Sequence, residues 1–397
     1  MAETLTLPAR STTPKLIEAT GRGALSTGRN LGEQLGDRIV AAIDSLYEYE
    51  SFRVQQPWWM PYPVYLYMAQ WRALDTLQPV VERAYPDLAT RIAGMAEGAG
   101  VQVESLYLFH AMEAMLTSCD NVASCPMAAC TAVAISEAAS LEGGPMLHHN
   151  FDNVPLSAPL LALRRRQSPG GYRCLEFTCA PLAGAIDGIN DAGLCITYNF
   201  AWTTAPGIPA PPVSMAVSST LDRCASVAEA IRFLKKQQLC GGSLLMLADA
   251  GGQLARMEWS GRRVAVQRLT DSHNASPSFL HHSNTYRTRL KGFEVSAQAC
   301  FGNGAPPALR GERVLESADQ RDQRLRALIA QQPQYSADDL KAVMTDHGEN
   351  DRADGNTVCM HGPYWQTIAS LQFHPRQRLL RAGYGHACET EYVDFAL

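Results

Sequence analysis

The sequence predicts an α+β protein made of two unlike parts, and three observations predict it. Apolar residues recur at helical spacing through the first 118 positions. From residue 130 the pattern changes to short β-type runs separated by turn residues. A few capped helices are interspersed among those runs, which is the pattern of sheets layered with helices.

In the first part, Gly21, Gly23 and Gly28 suggest turns over residues 16–29. Leu31, Leu35, Ile39, Ala42, Ile43 and Leu46 then mark one face of a helix. Pro57-Trp58-Trp59-Met60-Pro61 interrupts it, and a long helix is expected over 63–84. Pro86-Asp87 opens another, with Leu88, Ile92, Met95 and Ala96 on one face, and Gly98–Gly100 stops it. Residues 103–117 read as a further helix, and 119–129, rich in small residues around Cys125-Pro126, as an irregular linker.

In the second part, β-type runs are expected at 131–136, 145–150, 159–165, 172–178, 183–187, 194–199, 213–217, 243–248, 253–258 and 263–268. Asp249-Ala250-Gly251-Gly252 punctuates two of them. Ser226-x-x-Glu229 and Ser336-x-x-Asp339 are capping boxes, opening helices to about Gln238 and Asp346. A third helix, 313–330, carries Val314, Ala318, Arg321, Leu325 and Leu328. The terminal runs 366–373 and 378–383 read as a hairpin.

Composition narrows the function. At 397 residues there is ample material for a large core, and charged residues are only 18%. Net charge is −5, and the one basic triplet, Arg164-Arg165-Arg166, reads as a solvated strand end, so nucleic acid is not an expected partner. Neither a signal-peptide pattern nor an apolar window long enough to span a bilayer is present, so no membrane association is expected. The eleven cysteines are odd in number, contain no C-x-x-C and partly sit in apolar runs; reduced thiols in a cytoplasmic protein fit them best.

The chemistry centres on Met127-Ala128-Ala129-Cys130-Thr131, where a cysteine follows small residues and opens a β-type run. A thiol with its usual pKa of about 8.5 is mostly protonated at neutral pH and needs a base. An α-amine, with a pKa of about 7.7–8.0, is suited to that task. Cleavage of Ala129–Cys130 puts both groups on one residue, and the Thr131 hydroxyl steadies the new terminus. Cys125 competes as the cleavage point, but Pro126 fits poorly at the second position of a central strand. A returning run through Glu142-Gly143-Gly144 brings Asp152 back beside Cys130, where a carboxylate can orient the amine.

These residues resemble the acyl-coenzyme A:6-aminopenicillanic acid acyltransferases and their bacterial relatives, which are N-terminal-nucleophile hydrolases. The resemblance rests on Cys130-Thr131, Asn150-Phe151-Asp152, Gly188-Ile189-Asn190-Asp191-Ala192-Gly193-Leu194, Ala248-Asp249-Ala250-Gly251-Gly252, His282-Ser283-Asn284, Asp346-His347 and Cys359-Met360-His361. It implies an αββα sandwich of two antiparallel sheets between helical layers. It implies a helical prosegment at 1–129 that becomes an α chain, and a catalytic β chain at 130–397. Cys130 is implied as nucleophile, Asp152 as the residue orienting its amine, Asn284 as side-chain donor to the oxyanion, and Asn190 as a second donor through its backbone N–H. Thr131, His149 and Asn150 are supporting residues. His149 and Met360 stand where relatives often carry arginine, which bears on the substrate.

The expected reaction is cleavage or transfer of an acyl group from a linear non-peptide amide or thioester through an acyl-thioester. No cofactor is expected; a coenzyme A thioester is an acyl donor the resemblance allows. Two chains from one precursor, and a homo-oligomer, are compatible with it. The aromatic residues Trp58, Trp59, Tyr62, Tyr65, Tyr67 and Trp71 are candidates to pack the core or wall an acyl pocket. Rival readings are an uncut papain-like thiol enzyme with a histidine base, a non-catalytic binding protein on the same fold, and a metal enzyme using His148-His149, Asp152 and His281-His282. The last is weak, because adjacent strand residues face opposite ways.

Overall fold

The structure is a computed structural model that describes residues 12–117, 129–205, 210–269 and 278–397. The linker expected at 119–129 therefore lies outside the described residues except for Ala129, and so do Cys119 and Cys125.

The chain begins with strand β1 (Leu16–Ala19) and then helices α1 (Ala24–Ser45), α2 (Glu50–Arg53), α3 (Tyr62–Ala84), α4 (Pro86–Ala99) and α5 (Val103–Thr117). The helical stripe of α1 is buried as expected at Leu31, Leu35, Ile39 and Ala42, and Leu46 just past its end is buried with them. Gly28 is not in a turn. It lies inside α1 at the crossing with α4, where a Cβ would collide with the Arg91 carbonyl oxygen, and Gly94 of α4 meets Leu25 the same way. The two helices approach at backbone contact because these positions carry no side chain. Gly100 ends α4 in the left-handed conformation at φ 67°.

The remaining strands are β2 (Ala129–Ile135), β3 (Met146–Asn153), β4 (Leu161–Gln167), β5 (Arg173–Cys179), β6 (Asp187–Asn190), β7 (Cys195–Phe200), β8 (Gly242–Ala248), β9 (Leu254–Ser260), β10 (Arg263–Arg268), β11 (Phe279–His282), β12 (Gln366–His374), β13 (Leu379–Tyr384) and β14 (Val393–Ala396). Helices α6 (Val213–Arg223), α7 (Val227–Leu234), α8 (Glu316–Ile329) and α9 (Ala337–Met344) complete the described elements. One sheet runs β1-β4-β5-β6-β7-β8-β9-β10 and the other β11-β2-β3-β12-β13-β14. Pairing is antiparallel apart from β1 with β4.

Strand alternation builds the layers. Cys130, Ala134, Leu147 and Phe151 share a core with Phe177, Ile196 and Leu245 of the facing sheet. On the other face Val133, Ile135 and Met146 pack on Leu325 and Ile329 of α8 and Leu340 and Met344 of α9. Covered on both sides, β2 is buried at every position. With α6 and α7 against the larger sheet, this is the expected α+β sandwich of two sheets between helices.

Several local expectations are corrected. Residues 213–217 form the start of α6, not a strand: the run is short and apolar, Pro212 precedes it, and a helix buried all round shows no stripe. Of 183–187 only Asp187 enters a strand, because the Leu182, Ala183 and Gly184 carbonyls accept from Arg164 instead. The basic triplet is solvated only at Arg165, which is partly exposed and pairs with Glu18 at the surface. Arg164 and Arg166 are buried, and both pair with the buried Glu176. The N-terminal part also contributes a strand that the sequence reading missed, β1, seated on the edge of the larger sheet. The expected capping box is present at Ser336; at Ser226 only half of it forms, since the Ser226 hydroxyl accepts from the Glu229 N–H while the Glu229 carboxylate accepts from the Ala225 N–H instead of that of Ser226. No helix among the described residues is long and apolar enough to cross a membrane, and the described cysteines are free thiols.

Candidate active site

Strands β2 and β3 set the site. Their register places Ala129 opposite Asp152, Cys130 opposite Phe151, Thr131 opposite Asn150, and Ala132 opposite His149. Opposite residues share a face, so the Cys130 thiol and the His149 ring lie between the sheets, while Thr131, Asn150 and Asp152 face α8 and α9. Asp152 thus returns to the strand of Cys130 as expected, but its carboxylate lies across the sheet from the thiol, beside the Ala129–Cys130 peptide.

On that outer face Arg321 of α8 is the hub. One of its nitrogens, Nη1, donates to the Cys130 carbonyl oxygen at 2.6 Å and to Thr131 Oγ1 at 2.7 Å. Its Nη2 donates to Asn284 Oδ1 at 2.8 Å, and Nη1 lies 3.9 Å from Asp152 Oδ2. The Cys130 N–H donates to the same Asn284 Oδ1 at 2.9 Å. Two donors on Oδ1 fix the amide's orientation, and Asn284 Nδ2 donates to Phe200 O at 2.8 Å. An amide nitrogen carries two hydrogens, so one stays free to serve a second acceptor.

Asp152 is fully enclosed. Burial pushes its carboxyl up to about 6, against the downward pull of Arg321 and of the Thr367 hydroxyl that donates to Oδ1 at 2.6 Å. Its Oδ2 has no hydrogen-bond partner. A register shift in β12 between Thr367 and Ala369 places that hydroxyl, a local use of an irregular ladder beside a site. Asn150 supports from further out, donating to the Met344 and Val358 carbonyls at 2.8 and 3.0 Å.

On the inner face His149 lies beside the thiol, and its Nδ1–H donates to Asp187 Oδ2 at 2.6 Å. Burial alone would discharge this imidazole, but the Asp187 carboxylate outweighs it and holds the pKa raised to about 10. The ring is therefore a cation at neutral pH. Burial pushes the Cys130 thiol up, and His149 pulls it down. Asp187 thus gives this buried histidine a positive charge that it lacks by itself.

The thiol opens on an apolar cavity of about 170 Å³, lined among others by Phe109, Met112, Phe151, Leu160, Ile186 and Trp365. Tyr198 is in its wall, with a buried hydroxyl that has no hydrogen-bond partner. Phe109 and Met112 come from α5 and Tyr49 precedes α2, so the helical part supplies some of the walls. The tryptophans do not. Trp58 is 96% exposed, and Trp59, Tyr67 and Trp71 are also at the surface, so they neither fill the core nor line this cavity.

Asn190 does not join the site. Its backbone N–H donates to Leu194 O at 3.0 Å, and its Nδ2 donates to the Leu221 and Cys224 carbonyls at 2.7 Å each. It staples the β6–β7 turn to the end of α6, and its N–H is already spent. The motif Gly188–Leu194 therefore marks a structural turn, with Gly193 at φ 88°.

Three residues of this site escaped the sequence reading: Arg321, Asp187 and Tyr198. For Arg321 a signal exists, since it occupies a position of the apolar stripe of α8, where a charge needs buried partners. Asp187 stood within a β-type run, and nothing local tied it to His149.

The family model described as acyl-coenzyme A:6-aminopenicillanic acid acyl-transferase matches residues 140–381. The chain belongs to that family. The matched stretch holds His149, Asp152, Asn284 and Arg321, and Cys130 lies just before it. Membership in this family of N-terminal-nucleophile hydrolases makes the chain an enzyme of acyl transfer or amide hydrolysis. Among solved structures, the Caenorhabditis elegans ortholog of N-acylethanolamine-hydrolyzing acid amidase aligns at TM-score 0.40 and 15% identity, over 62% of this chain and 93% of its own. A variant of conjugated bile acid hydrolase from Clostridium perfringens aligns at 0.39 and 12%, over 67% and 97%. Penicillin V acylase from Agrobacterium tumefaciens aligns at 0.37 and 13%, over 68% and 86%. No curated protein sequence matches the chain.

Proposed function

We propose that the chain is a self-processing cysteine N-terminal-nucleophile enzyme that cleaves or transfers the acyl group of a linear amide or thioester. In the precursor the Cys130 thiol attacks the Ala129 carbonyl carbon. The peptide C–N bond breaks, the acyl group passes to sulfur, and water releases residues 1–129 and a free α-amine on Cys130. Strand β1 lies in the larger sheet, so the released part stays docked and keeps its cavity walls in place.

In the processed enzyme the α-amine takes the thiol proton. Asn284 Oδ1 accepts from that nitrogen as it does from the Cys130 N–H, and Asp152 Oδ2 offers an open acceptor on the same side. The thiolate attacks the substrate carbonyl. Donors for the oxyanion are the free N–H of Asn284 and the Tyr198 hydroxyl, each worth roughly 3–4 kcal/mol when aimed at the developing charge. The His149 cation adds a favourable field. The α-ammonium returns its proton to the leaving amine, and water or an amine resolves the thioester. The lining of the cavity is mostly apolar, so the acyl group is apolar. A coenzyme A thioester remains an allowed donor.

The observation that carries this reading is the arrangement at Cys130: its thiol opens on an apolar cavity while its N–H and C=O are held by Asn284 and Arg321. A denaturing gel with N-terminal sequencing tests it. The wild-type chain is expected as two bands, the second starting at Cys130, and Cys130→Ala as one uncut, inactive chain. Full activity in a polypeptide continuous through 129 and 130 would overturn it. The second reading, an uncut thiol enzyme, is favoured by one observation, the His149–Asp187 pair beside the thiol. That outcome of the gel is the one it predicts.

A further inference from the structure

Away from the nucleophile, four side chains converge from three loop segments: His347, Cys359, His361 and Cys388. One donor atom from each lies within 4.8 Å of all the others. His347 and the Cys359–His361 pair belong to the connection between α9 and β12, and Cys388 to the turn between β13 and β14. We propose that these four residues form a tetrahedral Cys2His2 site for a zinc ion.

The distances fit the ion. Zinc–sulfur bonds of about 2.3 Å and zinc–nitrogen bonds of about 2.0–2.1 Å give a tetrahedron whose S···N edges are about 3.5 Å. The Cys359 and Cys388 sulfurs lie 3.5 and 3.4 Å from His361 Nε2. Hydrogen bonds alone account poorly for two sulfurs on one ring nitrogen, because a neutral imidazole nitrogen either donates one hydrogen or accepts through one lone pair. A central cation satisfies both thiolates and the ring together. The second histidine is prepared in the manner of zinc ligands. His347 Nδ1 faces Asp351 Oδ1 at 3.4 Å, which leaves Nε2 as the ligating atom, and that Nε2 is buried with no hydrogen-bond partner. Two soft sulfurs and two imidazoles around a closed centre select zinc over the hard cations. Binding exchanges two thiol protons for one metal ion, with no change of oxidation state.

Such a site is structural, since all four positions come from the protein. It pins the β13–β14 turn to a segment that supports the catalytic strand. The Met360 N–H donates to Thr367 Oγ1 at 2.8 Å, and Thr367 in turn donates to Asp152. The inference is independent of the processing mechanism.

Metal analysis of the full chain, purified without chelator from zinc-supplemented culture, tests it. One zinc per chain is expected, released by the thiol reagent p-chloromercuribenzoate. It should be lost in Cys359→Ser/Cys388→Ser and kept in Cys300→Ser, the control at another exposed cysteine. Replacement of zinc by cobalt in the wild-type chain should give the intense visible bands of tetrahedral coordination and a thiolate charge-transfer band, a readout that does not need the double variant to fold. The proposal fails if the purified chain neither holds nor takes up zinc, if zinc persists in the double variant, or if cobalt shows only weak six-coordinate bands. It fails equally if peptide mapping finds Cys359 and Cys388 joined as a disulfide.

Discussion

Asp187→Asn is the most incisive test of the charge built beside the thiol. The change is isosteric. The new amide can accept from the Tyr198 N–H, as Asp187 Oδ1 does at 3.0 Å, and can donate to His149 Nδ1. What it removes is the negative charge. With the Asp187 charge gone, and the Cys130 contribution gone too in a Cys130→Ala background, burial acts on His149 unopposed and pushes its pKa below the ordinary 6.5. The wild-type rise from 6.5 to about 10 corresponds to about 5 kcal/mol of preference for the charged ring in the folded state. A base with a raised folded pKa contributes stability that is full below about 6.5 and is lost as pH climbs through about 10. The stability gap between the parent and its Asp187→Asn variant should therefore stay wide at and below about pH 6.5 and narrow as pH rises above 6.5 through the raised His149 pKa, which without the Cys130 thiol lies somewhat below 10. Calorimetric melts across that window read it, in a Cys130→Ala background so that each sample is one chain. In the active background, loss of the cation should move the thiol limb of the pH–rate profile upward. A gap independent of pH over this range would refute the assignment of His149 as a buried imidazolium.

Three further substitutions probe the frame. Arg321→Met removes donors from the Cys130 carbonyl, Thr131 and Asn284 and leaves Asp152 without its counter-charge. The cost should be about 3–5 kcal/mol by urea unfolding, with activity lost; a cost under about 1 kcal/mol would deny the residue its role as hub. Gly94→Ala drives a methyl into the Leu25 carbonyl oxygen and should destabilise by about 3 kcal/mol. Gly36→Ala on α1 meets nothing nearer than Ala99 Cα at 3.8 Å and should stabilise by up to about 1 kcal/mol. Equal shifts in melting temperature for the two would show that the α1–α4 crossing is not set by its glycines.

Much of this protein was legible before any coordinates. Periodicity placed α3 and α4 nearly to the residue, because each has an apolar stripe and an end signal such as Pro86 or Gly100; it also located α5, but it missed the first turns of α1, where Gly28 reads as a turn residue. Alternation and turn residues placed β3, β5, β9 and β12, and the capping boxes placed α7 and α9. The Cys130–Asp152 spacing already implied a hairpin, which the register confirms.

Local sequence did not determine which buried charges find each other. Arg164 and Arg166 look like a polar strand end until Glu176 is paired with them across β4 and β5. Asn190 looks like a donor until Leu194, Leu221 and Cys224 claim its polar atoms. His149 looks like a weak stand-in for arginine until Asp187, 38 residues away, fixes its charge. The reason is physical. Hydrophobic period and turn chemistry act over a few residues and are written in the chain. The charge state of a buried group depends on desolvation and on partners brought from far away, and these exist only once the sheets have closed on one another.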